Sequence, residues 1–422
     1  MAGWLVPLHD LTPEQLRAVE LPANRHRVLS GGPGSGKTLV LLHRARHLAD
    51  SLHIPGERLL VLVYTNALTA FLRAALADLG IPESAVRTFD DWCAAHYEKH
   101  VSVEKPWDHR RVRPRFDLIR DGVLRNVRRH PERPPLYDAV LVDEGQDLDA
   151  NAFETLAAVS CHVTVALDPG QRIYDGGARE DEILKALDIP SRSVALLETY
   201  RCSPYVSRLA SRLLPTDDAR EAFLRQARTA PLEREKPLLY FARDSADETV
   251  RLAEVTRARL LRGERLAVLL PSRRLVDTFA RRLSERGIPV EVPHRPGTPP
   301  GPYAPLDFAS DLVKVMPYHS AKGLTFDSVL LPRLTTGDVL ARRESSLLRL
   351  LFVGITRATS WVYLSAVEAD ELPVLHSLAA NAPEVVVQWH GVHAAPAPDP
   401  DEEDDHEFGP VLAPDASLTS WL

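Results

Sequence analysis

A glycine-rich stretch near the start of the chain, "GGPGSGKT", carries the residue types that hold phosphate groups. It fits the pattern G-x-x-x-x-G-K-[S/T], with its fixed positions at Gly31, Gly36, Lys37 and Thr38. Glycines allow several backbone N–H groups to point into one concavity, and the start of the following helix adds positive charge. We expect Lys37 to reach the β- and γ-phosphates of a nucleotide and the Thr38 hydroxyl to bind Mg²⁺. The loop residues expected to hold the nucleotide are Gly32, Gly34, Ser35, Gly36, Lys37 and Thr38.

An acidic pair after an apolar run supplies the carboxylates that such a metal site needs. In "AVLVDEGQD" the run ends at Val142 and is followed directly by Asp143 and Glu144. We expect Asp143 to bind Mg²⁺ through water, and Glu144 to orient and deprotonate the attacking water. Paired acids at a strand end are also common surface features, but the phosphate loop upstream favours the catalytic interpretation.

These side chains need a scaffold that brings strand ends together, and the rest of the chain predicts one. Short β-branched runs alternate with helical patterns, which is typical of parallel sheets covered by helices. The runs fall into two sets, so we predict two α/β domains in tandem. The first set is "RLLVLVYT", "YDAVLVDE" and "HVTVALD", and the second is "PLLYFAR", "RLAVLLP", "LVKVMPYH", "DSVLLPRL" and "WVYLSAV". Within the second set, "ADETVRLAEVTRARLLRG" predicts a helix that stops at Gly263, and residues 295–305 predict a surface loop.

The composition, with 45% apolar and 26% charged residues, is that of a soluble globular protein. No apolar stretch approaches the roughly 18 residues of a membrane span, and the N-terminus lacks a basic region followed by an apolar core. We therefore expect a cytoplasmic protein without a membrane partner. Cys93, Cys161 and Cys202 lie far apart, which argues against a disulfide framework or a zinc site.

Charge is distributed unevenly along the chain. The net charge is −7, but residues 396–422 contain eight acidic residues and no Lys or Arg, so the remainder is close to neutral. We expect residues 393–422 to form an acidic, disordered tail. Between Lys99 and Pro134 there are eleven Lys and Arg and only five Asp and Glu. This excess could follow a phosphate backbone, or it could form a solvated helical face.

Taken together, the motifs resemble those of the superfamily 1 helicases of the UvrD/Rep type, and they occur in that family's order from residue 11 to residue 360. They are "LTPEQ", "GGPGSGKT", "LVYTNAL", "RTFDDW", "VDEGQD", "LDPGQRIY", "ETYRCS", "MPYHSAKGLTFDSV" and "RLLFVGITRAT". The resemblance implies an α/β fold of two tandem RecA-like P-loop domains with parallel sheets and an ATP cleft between them. The domains would span 1–198, with a short basic insertion at 91–136, and 199–392.

The resemblance extends the nucleotide site into the second half of the chain. Gln171 would sense the γ-phosphate, and Tyr200 would stack on the base. Arg201 and Arg357 would reach across the cleft and stabilise transition-state charge, so that hydrolysis requires domain closure. The implied catalytic residues are Lys37, Glu144, Gln171, Arg201 and Arg357, and the further nucleotide contacts are Gln15, Tyr200 and Gly323. For Gln15 two interpretations stay open: its amide could read an adenine edge, or it could complete a capping box with Thr12.

The same resemblance implies a single strand of nucleic acid, DNA rather than RNA, as the partner. The polar residues that would meet the phosphate backbone are Thr65, Asn66, Thr88 and His319. Tyr64 and Tyr174 would offer ring faces on which bases stack.

The chain also departs from the family pattern. The second inserted subdomain has almost no room, because residues 289–312 make only a loop, and strong duplex unwinding is therefore in doubt. Residues 175–178 lack a stacking platform, Thr325 stands where a glutamate usually touches the ribose, and Leu39 stands where an arginine often packs on the base. Nucleotide selectivity could accordingly be loose.

Two functions remain open from the sequence. The first is an ATP-dependent translocase or helicase that moves 3′ to 5′ along single strands. The second is an ATP-gated regulatory or interaction subunit of a DNA repair or phage-defence complex, with a protein partner bound through the acidic tail. In the second case the tail would dock on that partner or mimic DNA.

Overall fold

The computed structural model describes residues 6–32, 34–109, 113–168, 177–196, 202–226, 235–293, 304–308, 310–337, 344–368, 370–381 and 385–391. The helices in these ranges are α1 (Pro13–Val19), α2 (Lys37–Ser51), α3 (Asn66–Asp78), α4 (Phe89–His100), α5 (Phe116–Arg129), α6 (Ala150–Val159), α7 (Glu180–Ala186), α8 (Pro204–Ser211), α9 (Asp217–Gln226), α10 (Ser245–Leu261), α11 (Arg273–Ser284), α12 (Glu344–Ile355) and α13 (Pro373–Asn381). The strands are β1 (Arg27–Gly31), β2 (Leu59–Val63), β3 (Val86–Thr88), β4 (Trp107–Asp108), β5 (Arg113–Pro114), β6 (Ala139–Val142), β7 (Val163–Leu167), β8 (Val194–Leu196), β9 (Leu238–Ala242), β10 (Leu266–Leu270), β11 (Val290–Val292), β12 (Ala304–Pro305), β13 (Val313–Pro317), β14 (Phe326–Leu331), β15 (Ala358–Val367) and β16 (Val387–His390).

The first sheet has the strand order β3-β2-β6-β7-β1-β8, and its neighbouring strands are all parallel. Strands β1, β2, β6 and β7 are buried on both faces, which explains why their sequences are continuous apolar runs. Because the strands are parallel, the carboxyl ends of β6, β7 and β1 lie side by side at one edge. Ligands of open α/β sheets bind at such an edge.

The second sheet has the order β12-β11-β13-β10-β14-β15-β9-β16 and is also parallel throughout. The five runs predicted for this half form β9, β10, β13, β14 and β15. The predicted α/β fold with two parallel sheets is therefore confirmed. The additional strands β3, β8 and β11 are three residues long, too short to produce a pattern that the sequence reading could use.

Local signals set the bounds of the elements well. Helix α10 begins after Asp244, whose side chain accepts hydrogen bonds from two backbone N–H groups, and it ends before Gly263 at φ 71°. The predicted stop at Gly263 is thus correct. Residues 304–305, at the end of the predicted surface loop, instead form β12, and residues 294–303 lie outside the described residues.

The segment predicted as a basic insertion is built into the first domain. Helices α4 and α5 pack together, and Ile119 and Val123 are fully buried in a core cluster with residues of β2, β6 and β7. Part of its positive charge is neutralised, because Arg120 forms an ion pair with Asp90 and Arg128 with Glu154. The solvated-face interpretation therefore accounts for part of this segment.

The two sheets share one hydrophobic cluster, which contains Leu29 of the first sheet and Phe326 of the second. The ring of Phe71 in α3 meets the ring of Phe308 edge-on, with centroids 5.2 Å apart. The predicted boundary at 198/199 and the predicted tail at 393–422 lie outside the described residues, so these bounds stay predictions. Among the helices that the structure describes, none has the length and apolar character of a membrane span.

A candidate nucleotide site between the two domains

The phosphate loop connects β1 to α2 in a conformation that needs glycine. Gly34 and Gly36 have φ values of 77° and 84°, in the left-handed region that side chains disfavour. A Cβ atom on Gly36 would also lie 2.4 Å from Nε2 of Gln15. Position 36 therefore needs glycine for two reasons, its positive φ and the close approach of the Gln15 side chain.

Lys37 is buried within this loop. Its Nζ donates hydrogen bonds of 2.8 Å to the carbonyls of Gly31 and Gly32, and it lies 3.4 Å from Oδ2 of Asp168. Asp168 follows β7 as Asp143 follows β6, so the ends of three neighbouring strands meet at this lysine. The side chain of Lys37 is flexible, so its ammonium group can exchange these carbonyl oxygens for the phosphate oxygens of a nucleotide.

Thr38 and the acidic pair meet at the start of α2. The Thr38 hydroxyl donates to Oδ2 of Asp143 at 2.8 Å, and the backbone N–H of Glu144 donates to Oδ1 of the same carboxylate at 3.0 Å. Glu144 has φ 53°, a conformation that costs a residue with a side chain about 1 kcal/mol or more. Such strain is common where a side chain must be aimed at a reaction centre.

The pKa values of Asp143 and Glu144 are shifted in opposite directions. Burial, together with the charge of Glu144, raises the pKa of Asp143 to about 7. Burial alone would also raise the pKa of Glu144, but Lys322, Lys37 and Arg357 outweigh it, so that the pKa of Glu144 is lowered. Glu144 is thereby kept ionised, which suits a group that accepts a proton.

The second half of the chain completes the cavity around this loop. The lining of this cavity includes Arg357, whose Nε donates to the carbonyl of Val353 at 3.1 Å. The described lining residues from the first half are Gly34, Gly36, Lys37, Thr38 and Glu144, and those from the second half are Cys202, Gly323, Thr325, Thr356, Arg357 and Thr359. The phosphate loop of the front half and Arg357 of the back half therefore line one cavity, while the catalytic role of Arg357 stays a prediction.

Lys322 is the residue of this site that the sequence reading did not single out. It comes from the second domain, is 1% exposed, and its Nζ lies 2.6 Å from Oδ2 of Asp147 and 3.6 Å from Oε2 of Glu144. Gln146 donates to the same Oε2 atom of Glu144 and accepts from the backbone N–H of Asp168. The available signal was a lysine inside "MPYHSAKGLTFDSV", but the sequence did not indicate its partners.

The structure favours the capping-box interpretation of Gln15. Its Oε1 accepts from the backbone N–H of Thr12 at 3.1 Å, and its backbone N–H donates to the Thr12 hydroxyl at 3.2 Å. Its Nε2 donates to the carbonyl of Ser35 at 3.0 Å, so that α1 braces the phosphate loop. Contact with adenine would require this side chain, 9% exposed, to give up these bonds.

The residues present fit a nucleotide with Mg²⁺. The Oγ of Ser35 is buried without a hydrogen-bond partner in the described part of the chain. Thr38 and Asp143 supply two oxygen ligands on one side. In the described residues, no cluster of three or more His, Cys, Asp or Glu side chains is present that could hold a metal alone. The pair Thr38 and Asp143 suits Mg²⁺, which is usually shared between one or two protein oxygens and the phosphates of its substrate.

Four of the predicted site residues lie outside the described residues, namely Gln171, Tyr174, Tyr200 and Arg201. Asn66 is the first residue of α3, but its side chain is not described. The roles given to all of these stay predictions.

A second groove contains the other residues expected to meet nucleic acid. It has a volume of about 1040 Å³ and lies between the domains, with Tyr64, Thr65, Thr88 and His319 in its lining. The hydroxyls of Thr65 and Thr88 accept hydrogen bonds from backbone N–H groups at the starts of α3 and α4. Each hydroxyl keeps its own O–H as a donor for an external acceptor.

Aromatic and charged side chains also line this second groove. Phe89 and Phe116 contribute rings, with the guanidinium of Arg120 5.5 Å from the Phe89 centroid. Arg120 and Arg273 provide positive charge, but two acids of α4, Asp90 and Asp91, are part of the same lining. The groove is therefore not a uniformly basic channel.

Two sequence models of protein families match the chain. The UvrD/REP helicase N-terminal domain matches residues 11–123, and the UvrD-like helicase C-terminal domain matches residues 312–365. YjcD of Bacillus subtilis (strain 168), a protein named as an inferred ATP-dependent DNA helicase, is 37% identical over 84 residues. Those residues are 20% of this chain and 11% of YjcD, so the chain spans about a tenth of the length of that relative.

A solved structure also resembles part of the chain. It is the C-terminal domain of a possible DNA helicase from Lactobacillus plantarum WCFS1, which is 16% identical with a TM-score of 0.34 and covers 45% of this chain and 98% of that one. The two family matches fall on the two sheets and include the phosphate loop, Lys322 and Arg357. Both family models of the UvrD-like helicases therefore match the chain, one in each half, and the resemblance indicated by its motifs is confirmed.

Proposed function

We propose that the protein hydrolyses ATP in the cleft between its two α/β domains and uses the cycle to move along single-stranded DNA. The observation that carries this proposal is the lining of the cavity at the phosphate loop, which Lys37, Thr38 and Glu144 share with Arg357 from the other half of the chain. A nucleotide held only by the first domain would need no such guanidinium group.

In this proposal the phosphate loop binds the triphosphate through its N–H groups, the Ser35 hydroxyl and Lys37. Thr38 and Asp143 would hold Mg²⁺, which neutralises phosphate charge when bound. Glu144 accepts a proton from the attacking water, and Gln146 and Lys322 fix the orientation of its carboxylate. Arg357 stabilises the charge that develops on the transferred phosphoryl group, an effect worth about 10³ to 10⁵ in rate for arginine fingers generally.

Nucleic acid would be coupled to hydrolysis through one short segment of the second domain. His319, in the groove, and Lys322, beside Glu144, are separated by two residues in the segment between β13 and β14. A strand that displaces His319 would also shift the cation that holds Glu144. We infer that single-stranded DNA stimulates turnover by this route, and that movement is 3′ to 5′.

The test measures ATP turnover with no nucleic acid, single-stranded DNA, single-stranded RNA and duplex DNA. We expect single-stranded DNA to stimulate hydrolysis many-fold, and its affinity to fall with salt by about 0.7 log unit per decade for each phosphate contacted. Glu144→Gln, which keeps the size of the side chain, is the matched control and should bind nucleotide without turning it over. Turnover that no nucleic acid changes would overturn the translocase proposal.

The second function is favoured by one feature of the groove. Asp90 and Asp91 would repel a phosphate backbone and offset the charge of Arg120 and Arg273. An ATP-gated interaction subunit tolerates such a groove, because it needs domain closure but not processive contact with a strand. Nucleotide-dependent closure without stimulation by DNA would support this second function.

A further inference from the structure

A groove on the outer side of the second domain is not explained by ATP or nucleic acid. It has a volume of about 1090 Å³ and is formed by α10, β9, β15 and β16. Two indole rings, Trp361 and Trp389, form its base, and Leu238, Val255 and Leu261 add aliphatic surface. Leu261 is 88% exposed. We call it the tryptophan groove.

The charged lining of the tryptophan groove has a net positive charge, because it contains four Lys and Arg and two acids, Glu235 and Glu254. The guanidinium of Arg259 lies 3.7 Å from the ring centroid of Trp361, and that of Arg251 lies 4.8 Å from the centroid of Trp389. Arg259 and Arg251 are paired with nearby acids. Within the described ranges, however, Lys236 and Arg257 form no ion pair with another described residue. An occupant should therefore combine apolar side chains with negative charge.

A segment of this chain has that chemistry and starts beside the groove. Strand β16 is the outermost strand of the second sheet, Val387 and Trp389 lie on both β16 and the groove lining, and Gly391 is the last described residue. Residues 399–407 are "DPDEEDDHE", and residues 408–422 are "FGPVLAPDASLTSWL". The acidic block is thus followed by apolar residues that include Trp421.

We propose that residues 393–422 dock in cis on the tryptophan groove, with the acidic block along the Lys236 and Arg257 rim and the apolar residues over the indole rings. The tail is long enough to reach the tryptophan groove, because thirty extended residues span about 100 Å. Docking would cover Leu261 and keep the acidic block away from the nucleic-acid groove. The proposal does not depend on the proposed function.

Disulfide trapping in the full chain tests the proposal. Cys161 and Cys202 are replaced by Ser, buried Cys93 is kept, and Trp421→Cys is combined with Leu261→Cys in the groove. The matched control carries Val250→Cys, which is exposed on the same helix but is not part of the described groove lining. In both cysteine pairs the same tail connects position 421 to the second domain, so a difference in the rate of disulfide formation reports docking.

We expect the 261–421 link to form as a monomer about tenfold faster than the 250–421 link, because docking raises the local concentration of the tail. Replacing the acids of residues 401–405 by Asn and Gln keeps the tether and should reduce the rate to that of the control. Equal rates for both pairs would overturn the proposal, and so would links that join two molecules. A 261–421 link that forms only after single-stranded DNA is added would indicate competition for the nucleic-acid groove, and would also overturn it.

Discussion

Replacing Lys322 by Met tests how the second domain controls the reaction centre of the first. The Nζ of Lys322 is held at 2.6 Å from Asp147 and 3.6 Å from Glu144, and all three side chains are buried. Met keeps most of the length of the lysine side chain and removes only its charge. The variant therefore removes the cation that contacts both buried carboxylates, while Lys37 and Arg357 remain near Glu144.

The expected loss of unfolding free energy follows from these contacts. Removing one partner of a buried ion pair costs about 3 to 5 kcal/mol at pH 7. Burial raises the pKa of Asp147 to about 6, so at pH 5 this carboxyl is already mostly protonated in the parent protein and less of the pair remains to be lost. One pKa unit corresponds to about 1.4 kcal/mol, so the loss should be about 1 kcal/mol smaller at pH 5 than at pH 7.

The assay combines urea unfolding at both pH values with ATP turnover per folded molecule. Lys314→Met is the matched control, because Lys314 is 2.8 Å from Glu291 in an equally buried pair away from both candidate sites. We expect both variants to lose stability, and only Lys322→Met to lose turnover, by about a hundredfold.

The double variant Lys322→Met/Asp147→Asn separates stability from catalysis. Removing both charges should restore at least half of the lost stability. Turnover should stay low, because Glu144 still lacks the contact with Lys322, and only Lys37 and Arg357 remain to keep it ionised. If turnover recovers together with stability, or if Lys322→Met has the kinetics of Lys314→Met, then Lys322 only holds the domains together and our reasoning is wrong.

Four further substitutions test separate parts of the site. Gly36→Ala should abolish nucleotide binding in a fluorescent-nucleotide titration and cost about 1 kcal/mol or more of stability, because φ is 84° and Nε2 of Gln15 is 2.4 Å from the new Cβ. Arg44→Met should lower the urea midpoint by an amount equivalent to about 3 kcal/mol, because Arg44 is fully buried and donates to three backbone carbonyls at and just after the end of α1. Burial raises the pKa of Asp147 from its ordinary 3.8 to about 6, so its contribution to stability is present below about pH 4 and is lost, by about 3 kcal/mol, as the pH rises through 6. Asp147→Asn should flatten this part of the urea-derived pH profile. His319→Ala should weaken single-stranded DNA binding about tenfold in fluorescence anisotropy, together with the stimulation of turnover.

Features that depend on local chemistry were predictable from the sequence. The glycines of the phosphate loop, the acids directly after β6 and the glycine after α10 each follow from conformational rules that involve a few neighbouring residues. Gln15 shows the limit of such rules. The capping box is local and was one of the two interpretations that the sequence left open, but the Nε2 of Gln15 donates to the carbonyl of Ser35, 20 residues away, which no local pattern indicates.

The number of charged residues in a segment was less informative about its role than the ion pairs that those residues form. The basic excess between Lys99 and Pro134 was evident, yet Arg120 and Arg128 are neutralised by Asp90 and Glu154, which lie outside that window. Lys322 was inside a quoted motif, but its partner Asp147 is 175 residues away. Pairings of that kind arise from tertiary packing of two domains, so residue spacing does not reveal them.

The position of Lys322 also explains why the two candidate sites need not be connected by a long pathway. Gly323, with φ 80°, brings the backbone so close to α3 that a Cβ would lie 2.8 Å from Leu68. Helix α3 begins at the nucleic-acid groove with Thr65 as its cap, and the segment on the other side of this contact carries both His319 and Lys322. Because the Leu68 side chain fills the space beside Gly323, we expect a change in the angle between the domains to shift the lining of this groove and the contact of Lys322 with Glu144 together.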